Sequence, residues 1–420
     1  MALDLIGDEQ RKLTDMTSSE KKSILDIEVA GKTVLVRVDY NVPFRPGTTE
    51  ISDDSRIEAS LPTLRYLLER RCRVVVCSHL GRPRGQSVEE MRLRPVARRL
   101  EAMLARHVGH TSDCVGPEVG RAVEALEPGD VLLLENLRFH AQEEKNDAGF
   151  ARSLASLADV FVNDAFGAAH RAHASTVGVA EHLPAVAGLL MARELEMLGK
   201  ALGSPKRPFV AVFGGAKVSD KIAIAQRLAL KVDSTIVGGG MAATFLKARG
   251  LDVGESPVED EWVPAAAELM EAFGILLPED VVVAADFSES AAHRVVDVAE
   301  IPAGWRIMDI GPNTSAAFGT ALASAATVVW NGTMGVAEWP TFANGTARVA
   351  NAIAGLTDAT TVIGGGSTAE AVRALGLADR ITHVSTGGGA SMEFLEGREL
   401  AGVAALQDRT SRPGSTARKV

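Results

Sequence analysis

The apolar residues of this 420-residue chain gather in short continuous runs rather than alternating with polar ones. Val34-Leu-Val-Arg-Val-Asp, Val74-Val-Val-Cys-Ser-His, Val131-Leu-Leu-Leu-Glu-Asn-Leu-Arg-Phe-His and Val160-Phe-Val-Asn-Asp lie in the first half. Phe209-Val-Ala-Val-Phe-Gly-Gly, Ser234-Thr-Ile-Val-Gly-Gly-Gly, Thr361-Val-Ile-Gly-Gly-Gly and His383-Val-Ser-Thr-Gly-Gly-Gly lie in the second. A run that is apolar throughout reads as a strand covered on both faces. Between the runs stand stretches with helical spacing, among them Pro62-Thr-Leu-Arg-Tyr-Leu-Leu-Glu-Arg and Pro95-Val-Ala-Arg-Arg-Leu-Glu-Ala-Met-Leu. The alternation predicts an α/β fold built on parallel sheets. It runs to about residue 180 and resumes at about residue 209.

The two halves end their strands differently. In the second half the runs close on glycine clusters, which let backbone N–H groups approach a ligand and, before a helix, suit a phosphate. In the first half they close on arginine and histidine. One half reads as a nucleotide cradle, the other as a holder of a small anion. Between them Ala185 to Gly203 has a helical pattern, followed by the breaker cluster Ser204-Pro-Lys-Arg-Pro208. The expected organisation is an extension over 1–22, an anion-binding domain over 23–184, a bridging helix over 185–203, a nucleotide-binding domain over 204–394, and a C-terminal segment over 395–420. The polar stretch from Gln407 to Val420 reads as a loose tail.

Length suits two domains, and 46% hydrophobic with 23% charged residues is a globular composition. A net charge of −10 and only 5% aromatic residues argue against nucleic acid as a partner. Cys72, Cys77 and Cys114 form no Cys-x-x-Cys pair and have no histidine nearby at zinc spacing, so they read as core thiols of a cytoplasmic protein. The N-terminus lacks the basic start and apolar core of a signal peptide, and no apolar run is long enough to span a membrane. No assembly surface stands out, so a monomer is expected.

Ligands of parallel sheets sit at the carboxyl ends of the strands. In the second half that edge carries Gly214-Gly-Ala-Lys-Val-Ser-Asp-Lys221, whose lysines, four apart and the second one turn into a helix, can face one side. It is neither a Walker loop nor a dinucleotide fingerprint. In the first half Arg37, Arg56, Arg82, Arg138 and Arg171 fall at strand ends or in adjoining loops, with His79 and His170 beside them. A single arginine is usually a solvated surface charge; five along one edge, with Asp39 and Asn41, point to an anion bound by paired N–H groups.

Arg37-Val-Asp-Tyr-Asn-Val-Pro, Ser78-His-Leu-Gly-Arg-Pro, Leu134-Glu-Asn-Leu-Arg-Phe-His, Asn163-Asp-Ala-Phe-Gly-Ala-Ala-His-Arg-Ala-His, the Gly214–Lys221 segment, Gly238-Gly-Gly-Met-Ala, Asp309-Ile-Gly-Pro and Ser385-Thr-Gly-Gly-Gly-Ala-Ser follow one another in that order. In wording and order they resemble the phosphoglycerate kinase family, from about Ser23 to Leu406. The resemblance implies two Rossmann-like domains joined by the bridging helix, with a cleft between them that closes by hinge bending. It implies 3-phosphoglycerate or 1,3-bisphosphoglycerate on the first domain, held by Asp39, Asn41, Arg56, His79, Arg82, Arg138 and Arg171. It implies ATP or ADP with Mg2+ on the second, surrounded by Gly215, Lys221, Gly238, Asn331, Glu338, Gly366 and Thr368. Arg37, Lys217 and the amides of Gly387, Gly388 and Gly389 would meet the phosphoryl group in transit. The acceptor carboxylate is already ionised at neutral pH, so His79 and His170 need move no proton.

The chain departs from the family pattern at three places. Ser367 stands where an aspartate is the expected magnesium ligand, Thr333 where proline is usual, and Ala401 again for proline. A serine hydroxyl can meet magnesium but brings no charge. Besides the kinase itself, two readings stay open at this point: a paralogue acting on another phosphorylated or phosphonate acid, and a pseudokinase that binds ligand without turnover.

Overall fold

The computed structural model describes residues 21–409. Among these, one compact unit runs to Glu196 and takes back the residues from Glu399, and a second comprises Met197–Arg398.

The first unit is built on a six-stranded sheet in the order β3-β4-β2-β1-β5-β6. Its strands are β1 (Thr33–Arg37), β2 (Arg73–Cys77), β3 (Val108–His110), β4 (Val131–Leu133), β5 (Val160–Asn163) and β6 (Ala185–Ala187). Every neighbouring pair is parallel. Val34, Leu35 and Val36 have no exposed surface on either face of β1, the condition under which a strand reads as an unbroken apolar run. Helices Ser55–Glu69 and Arg94–Leu104 contribute Ile57, Leu64, Val96 and Leu100 to the core on this sheet. The first of them starts earlier than the sequence pattern suggests and carries Pro62 within it.

The second unit holds a six-stranded parallel sheet in the order β15-β14-β13-β7-β8-β9. Its strands are β7 (Phe209–Phe213), β8 (Ser234–Val237), β9 (Ile275–Leu276), β13 (Thr327–Asn331), β14 (Thr360–Gly364) and β15 (His383–Val384). The four glycine-ended runs are β7, β8, β14 and β15, all in one sheet, and their carboxyl ends share an edge because all pairs are parallel. A separate antiparallel sheet, β11-β10-β12, comprises β10 (Asp280–Ala284), β11 (His293–Asp297) and β12 (Arg306–Ile310). It breaks the parallel alternation, and the sequence pattern does not announce it.

Two expectations are corrected. The segment 185–203 is not one helix: Ala185–Ala187 is the edge strand β6, paired with β5, and the helix begins only at Leu189 and ends at Gly203. Asp164 terminates the strand-to-helix turn by accepting the Leu190 and Met191 N–H groups at 2.9 and 3.2 Å, which caps the first turn of that helix. The division between the units falls inside this helix, between Glu196 and Met197. The expected tail is not loose where it begins, at Gln407. Gly402 N–H donates to Ala169, Gln407 N–H to Ala185, Lys22 N–H to Gln407, and Arg409 pairs with Asp26, so residues 399–409 are stitched into the first unit. The rest of the expected tail and nearly all of the expected extension over 1–22 lie outside the described residues.

Candidate active site

At the carboxyl edge of the first sheet, Arg37 ends β1 with no exposed surface. Its Nε donates to Ser175 Oγ at 2.8 Å, Nη1 donates to the Val38 carbonyl, and Nη2 donates to His79 Nδ1 at 3.1 Å. An accepting Nδ1 leaves the His79 proton on Nε2. Burial pushes His79 well below the ordinary histidine range, and Arg37, Arg138 and Arg56 push the same way against Asp39. His79 is therefore neutral, as its bond from Arg37 requires.

Asp39 is ionised. Burial alone would raise its carboxyl, but Arg56, Arg37 and the Asn41 N–H hold it below the ordinary aspartate value. With His79 uncharged, that work falls on Arg56, whose Nη1 lies 2.7 Å from Asp39 Oδ2, and on Arg37. Asn41 Oδ1 accepts the Gly81 N–H at 2.8 Å, and Arg138 Nη1 donates to the Gly81 carbonyl at 2.7 Å. The loops after β1, β2 and β4 are thus joined through one glycine.

Arg138 is 3% exposed, and burial first, then the charge of Arg171, lower its pKa to about 10, with Glu144 opposing. Beyond burial, Arg171 and Arg37 place positive charge beside Arg138 that Glu144 and Glu143 offset only in part, so Arg138 lies in a locally positive setting. Arg171 is half-buried, its Nε 3.0 Å from His170 Nε2, and Arg82 is exposed on the loop after β2. Of the seven residues expected to bind phosphoglycerate, contacts link Asp39, Asn41, Arg56 and His79 directly and Arg138 through Gly81. Arg171 joins through its field, and Arg82 makes no side-chain contact among the described residues.

Sequence reasoning missed the support behind Arg37. Glu143, fully buried, accepts the Ser175 hydroxyl at 2.6 Å and its N–H at 3.0 Å. Burial would raise this carboxyl, yet His173, Arg37 and Ser175 hold it below the usual glutamate value. Arg37 is consequently a clamped group rather than an open fork.

In the second unit a cavity of about 730 Å³ opens at the strand ends. It is lined by Gly215, Lys221, Asn331, Glu338, Gly366 and Thr368, all expected around the nucleotide, together with Ser367, Gly388 and Gly389. This volume is in the range of small-ligand pockets. Lys221 stands at the N-cap of helix Ile222–Ala229, not one turn inside it, and is 9% exposed. Burial lowers its pKa, against the charges of Asp220 and Glu259. A side chain on Gly215, which has φ +84°, would meet Lys221 Nζ at 3.0 Å, so the glycine makes room for the cation.

Gly332 marks a second close approach. Its φ is +98°, and a Cβ there would lie 2.1 Å from the Gly214 carbonyl oxygen. Part of the glycine signal is therefore loop-to-loop packing rather than ligand approach. Gly238 belongs to that class, facing Met334 Sδ, and does not line the cavity. Thr333, in the family's proline position, accepts the Gly215 N–H at 2.7 Å through its carbonyl, which proline would also supply.

Two residues at the rim are placed by their neighbours. The Gly387 N–H is not bare: the Ser385 hydroxyl accepts it at 3.1 Å, leaving Gly388 and Gly389 as the cavity-lining members of the triplet. Lys217 is exposed and is not among the cavity's lining residues; on the same loop Glu259 accepts the Val218 and Ser219 N–H groups. Ser367 is exposed at the start of helix Gly366–Ala374, whose Gly365 cap has φ +89°. Carboxylates in the same cavity are Asp220, Glu338, Glu393 and Glu396. A hydroxyl at a helix N-terminus, lining the same cavity as Lys221, fits a metal that is bound mainly through the phosphates of its nucleotide.

Comparison with known proteins agrees with this layout. The family model described as Phosphoglycerate kinase matches residues 24–398. The phosphoglycerate kinase of Moorella thermoacetica is 57% identical over 394 residues, which cover 93% of this chain and 100% of that protein. The solved phosphoglycerate kinase of Coxiella burnetii is 42% identical with a TM-score of 0.80, covering 92% of this chain and 98% of the other. That of Pyrococcus horikoshii is 35% identical with a TM-score of 0.82 over the same shares. Neither a paralogue for another acid nor a pseudokinase is favoured by these matches. The chain belongs to the phosphoglycerate kinase family, phosphotransferases whose acceptor is a carboxyl group.

Proposed function

We propose that the chain catalyses reversible phosphoryl transfer between 1,3-bisphosphoglycerate with ADP and 3-phosphoglycerate with ATP. The observation that carries this reading is the gathering of Arg37, Arg56, Arg138 and Arg171 at one sheet edge, where Arg171 and Arg37 add to burial in lowering the Arg138 pKa to about 10. Such a field binds a small, multiply charged anion. Arg138, Arg171 and Arg82 receive its phosphate, and Arg56 and the Nε2–H of His79 receive its carboxylate end. Asp39 holds Arg56 in place. Because the carboxylate attacks already ionised, no residue serves as general base. The protein's task is alignment and neutralisation of the equatorial oxygens.

In the second unit Lys221 and the Gly388 and Gly389 amides face the nucleotide phosphates, with Glu338 placed for its ribose. Ser367 would offer a neutral hydroxyl to magnesium carried in with the nucleotide, which would offset the charge of its phosphates. Lys217 and Arg37 are the groups assigned to the phosphoryl in transit. Transfer requires the two ligands to be brought within reach, so the reading includes a hinge motion. The three buried, unpaired thiols support a reducing, cytoplasmic setting.

A single assay tests the proposal: ATP, magnesium and 3-phosphoglycerate, with acyl phosphate trapped as a hydroxamate. Turnover is expected. Ligand binding without turnover, or turnover with a different acid alone, overturns it.

A further inference from the structure

We propose that Asp113, Cys114 and His140, none of them assigned to phosphoglycerate or nucleotide, form a binding site for a thiophilic divalent cation of the zinc class. Strands β3 and β4 are parallel neighbours, so the loops leaving their carboxyl ends run side by side. The first loop carries Asp113 and Cys114, and the second ends in His140. The loops are tied together by the Glu135 N–H, which donates to the Asp113 carbonyl at 3.4 Å. Thr111 Oγ1 donates to the same carbonyl at 2.6 Å.

This juxtaposition collects one carboxylate oxygen, one sulfur and one imidazole nitrogen, all within 4.8 Å of one another. Asp113 Oδ1 and His140 Nε2 are 2.6 Å apart. Cys114 forms the buried inner wall, while the Asp113 and His140 side chains are 49% and 27% exposed. An ion can therefore enter from solvent, and water can take the fourth position. Three protein ligands plus water is the arrangement of an open tetrahedral site. Sulfur and imidazole together favour zinc-class ions over magnesium, which prefers hard oxygens. The His140 ring is steadied by Phe150, 5.2 Å away between centroids.

Binding replaces the Asp113–His140 hydrogen bond by two bonds to the ion. The Cys114 thiol proton leaves to solvent as the metal–sulfur bond forms, and no electron transfer is involved. Asp113 and its neighbour Cys114 lie 27 and 26 positions before His140 and meet it only through strand pairing, which is why cysteine spacing gives no hint of the cluster.

The test is titration of the chelator-treated full-length protein with Co2+, without nucleotide. Thiolate–cobalt bonding gives a near-ultraviolet charge-transfer band. The band is expected to saturate at one Co2+ per chain, to be displaced by Zn2+, and to vanish in Cys114→Ser. Asp113→Asn and His140→Gln should each need at least about tenfold more Co2+, since even loss of an outer-shell partner typically weakens metal sites that much. Both of these side chains are partly exposed, so their variants report even if Cys114→Ser disturbs the core. A featureless spectrum in the native chain overturns the proposal. So does a band that survives Cys114→Ser, or one indifferent to both Asp113→Asn and His140→Gln.

Discussion

Replacing Asp309 by asparagine should flatten the pH dependence of stability in the second unit. Asp309 lies on β12, 1% exposed, and its two oxygens accept the Ile310 N–H at 2.9 Å and the Gly345 N–H at 2.7 Å. Burial outweighs those two bonds and raises its carboxyl from 3.8 to about 7. The folded state therefore keeps its proton long after the unfolded chain has lost it. Stability from this group is complete below pH 3.8 and is lost as pH climbs through about 7. At about 1.4 kcal/mol per pH unit the total loss is about 4 kcal/mol, a large fraction of a domain's stability. Asparagine cannot ionise, so its variant lacks this slope. It also turns an N–H donor toward one of the two amides, which costs about 1–3 kcal/mol at every pH. The slope is thus the diagnostic, not the absolute value.

The assay is urea unfolding from pH 4.5 to 8 followed by tryptophan fluorescence. Trp262, Trp305, Trp330 and Trp339 are the chain's four tryptophans and all fall in the second unit, so the signal is blind to the first. That matters because Asp164, raised by burial to about 6, titrates in the same range within the first unit. Equal pH slopes for the native chain and Asp309→Asn would refute the reasoning, whatever their offset.

Glu143→Gln should lower stability by about 2–3 kcal/mol, since it removes a charged acceptor from a buried pair of bonds, and should raise the KM for 3-phosphoglycerate by loosening Arg37 through Ser175. Circular dichroism with urea and steady-state kinetics check both; an unchanged KM would show that Arg37 does not depend on this clamp. Ser367→Asp should lower the magnesium concentration for half-maximal turnover by up to about tenfold, near 1.4 kcal/mol. An unaltered magnesium dependence would mean the nucleotide phosphates alone hold the metal. Arg138→Lys keeps the charge but loses the fork that reaches Gly81 and Glu144, and should weaken 3-phosphoglycerate binding about tenfold or more by calorimetry. Small-angle scattering with both ligands should show compaction relative to either alone; identical profiles would count against the hinge.

What could be read in the sequence was whatever local chemistry fixes. Val34–Val36 and Val74–Val76 are buried on both faces, so their strands show as unbroken apolar text. The arginines at the strand ends were visible because parallel pairing puts every such end on one edge. β6 was not: Ala185-Val-Ala suits helix or strand equally, and only pairing with β5 decides it. The antiparallel sheet was missed for a similar reason, since β11 is largely exposed and owes its form to β10. Glu143, Ser175 and Glu259 carry no signal in the text, because a single acid or hydroxyl acquires meaning only from partners far along the chain.

The glycines carry the sharpest lesson about the site. Gly214, Gly215, Gly238 and Gly332 look alike in the sequence, yet they answer to different pressures. Gly214 and Gly332 let two loops touch backbone to backbone, Gly238 accommodates Met334, and Gly215 accommodates the Lys221 ammonium. Only the last sets a cation at the cavity. Reading every glycine as a phosphate contact therefore overstates the ligand surface, while the packing glycines decide whether the loops that carry Asn331, Thr368 and Lys221 meet at all. A Gly332→Ala chain tests the distinction. Its Cβ would sit 2.1 Å from the Gly214 oxygen, so the loops must separate and the cavity itself should be lost. Gly366→Ala, where a Cβ meets nothing within 4 Å, should instead leave the fold intact and act on nucleotide affinity alone.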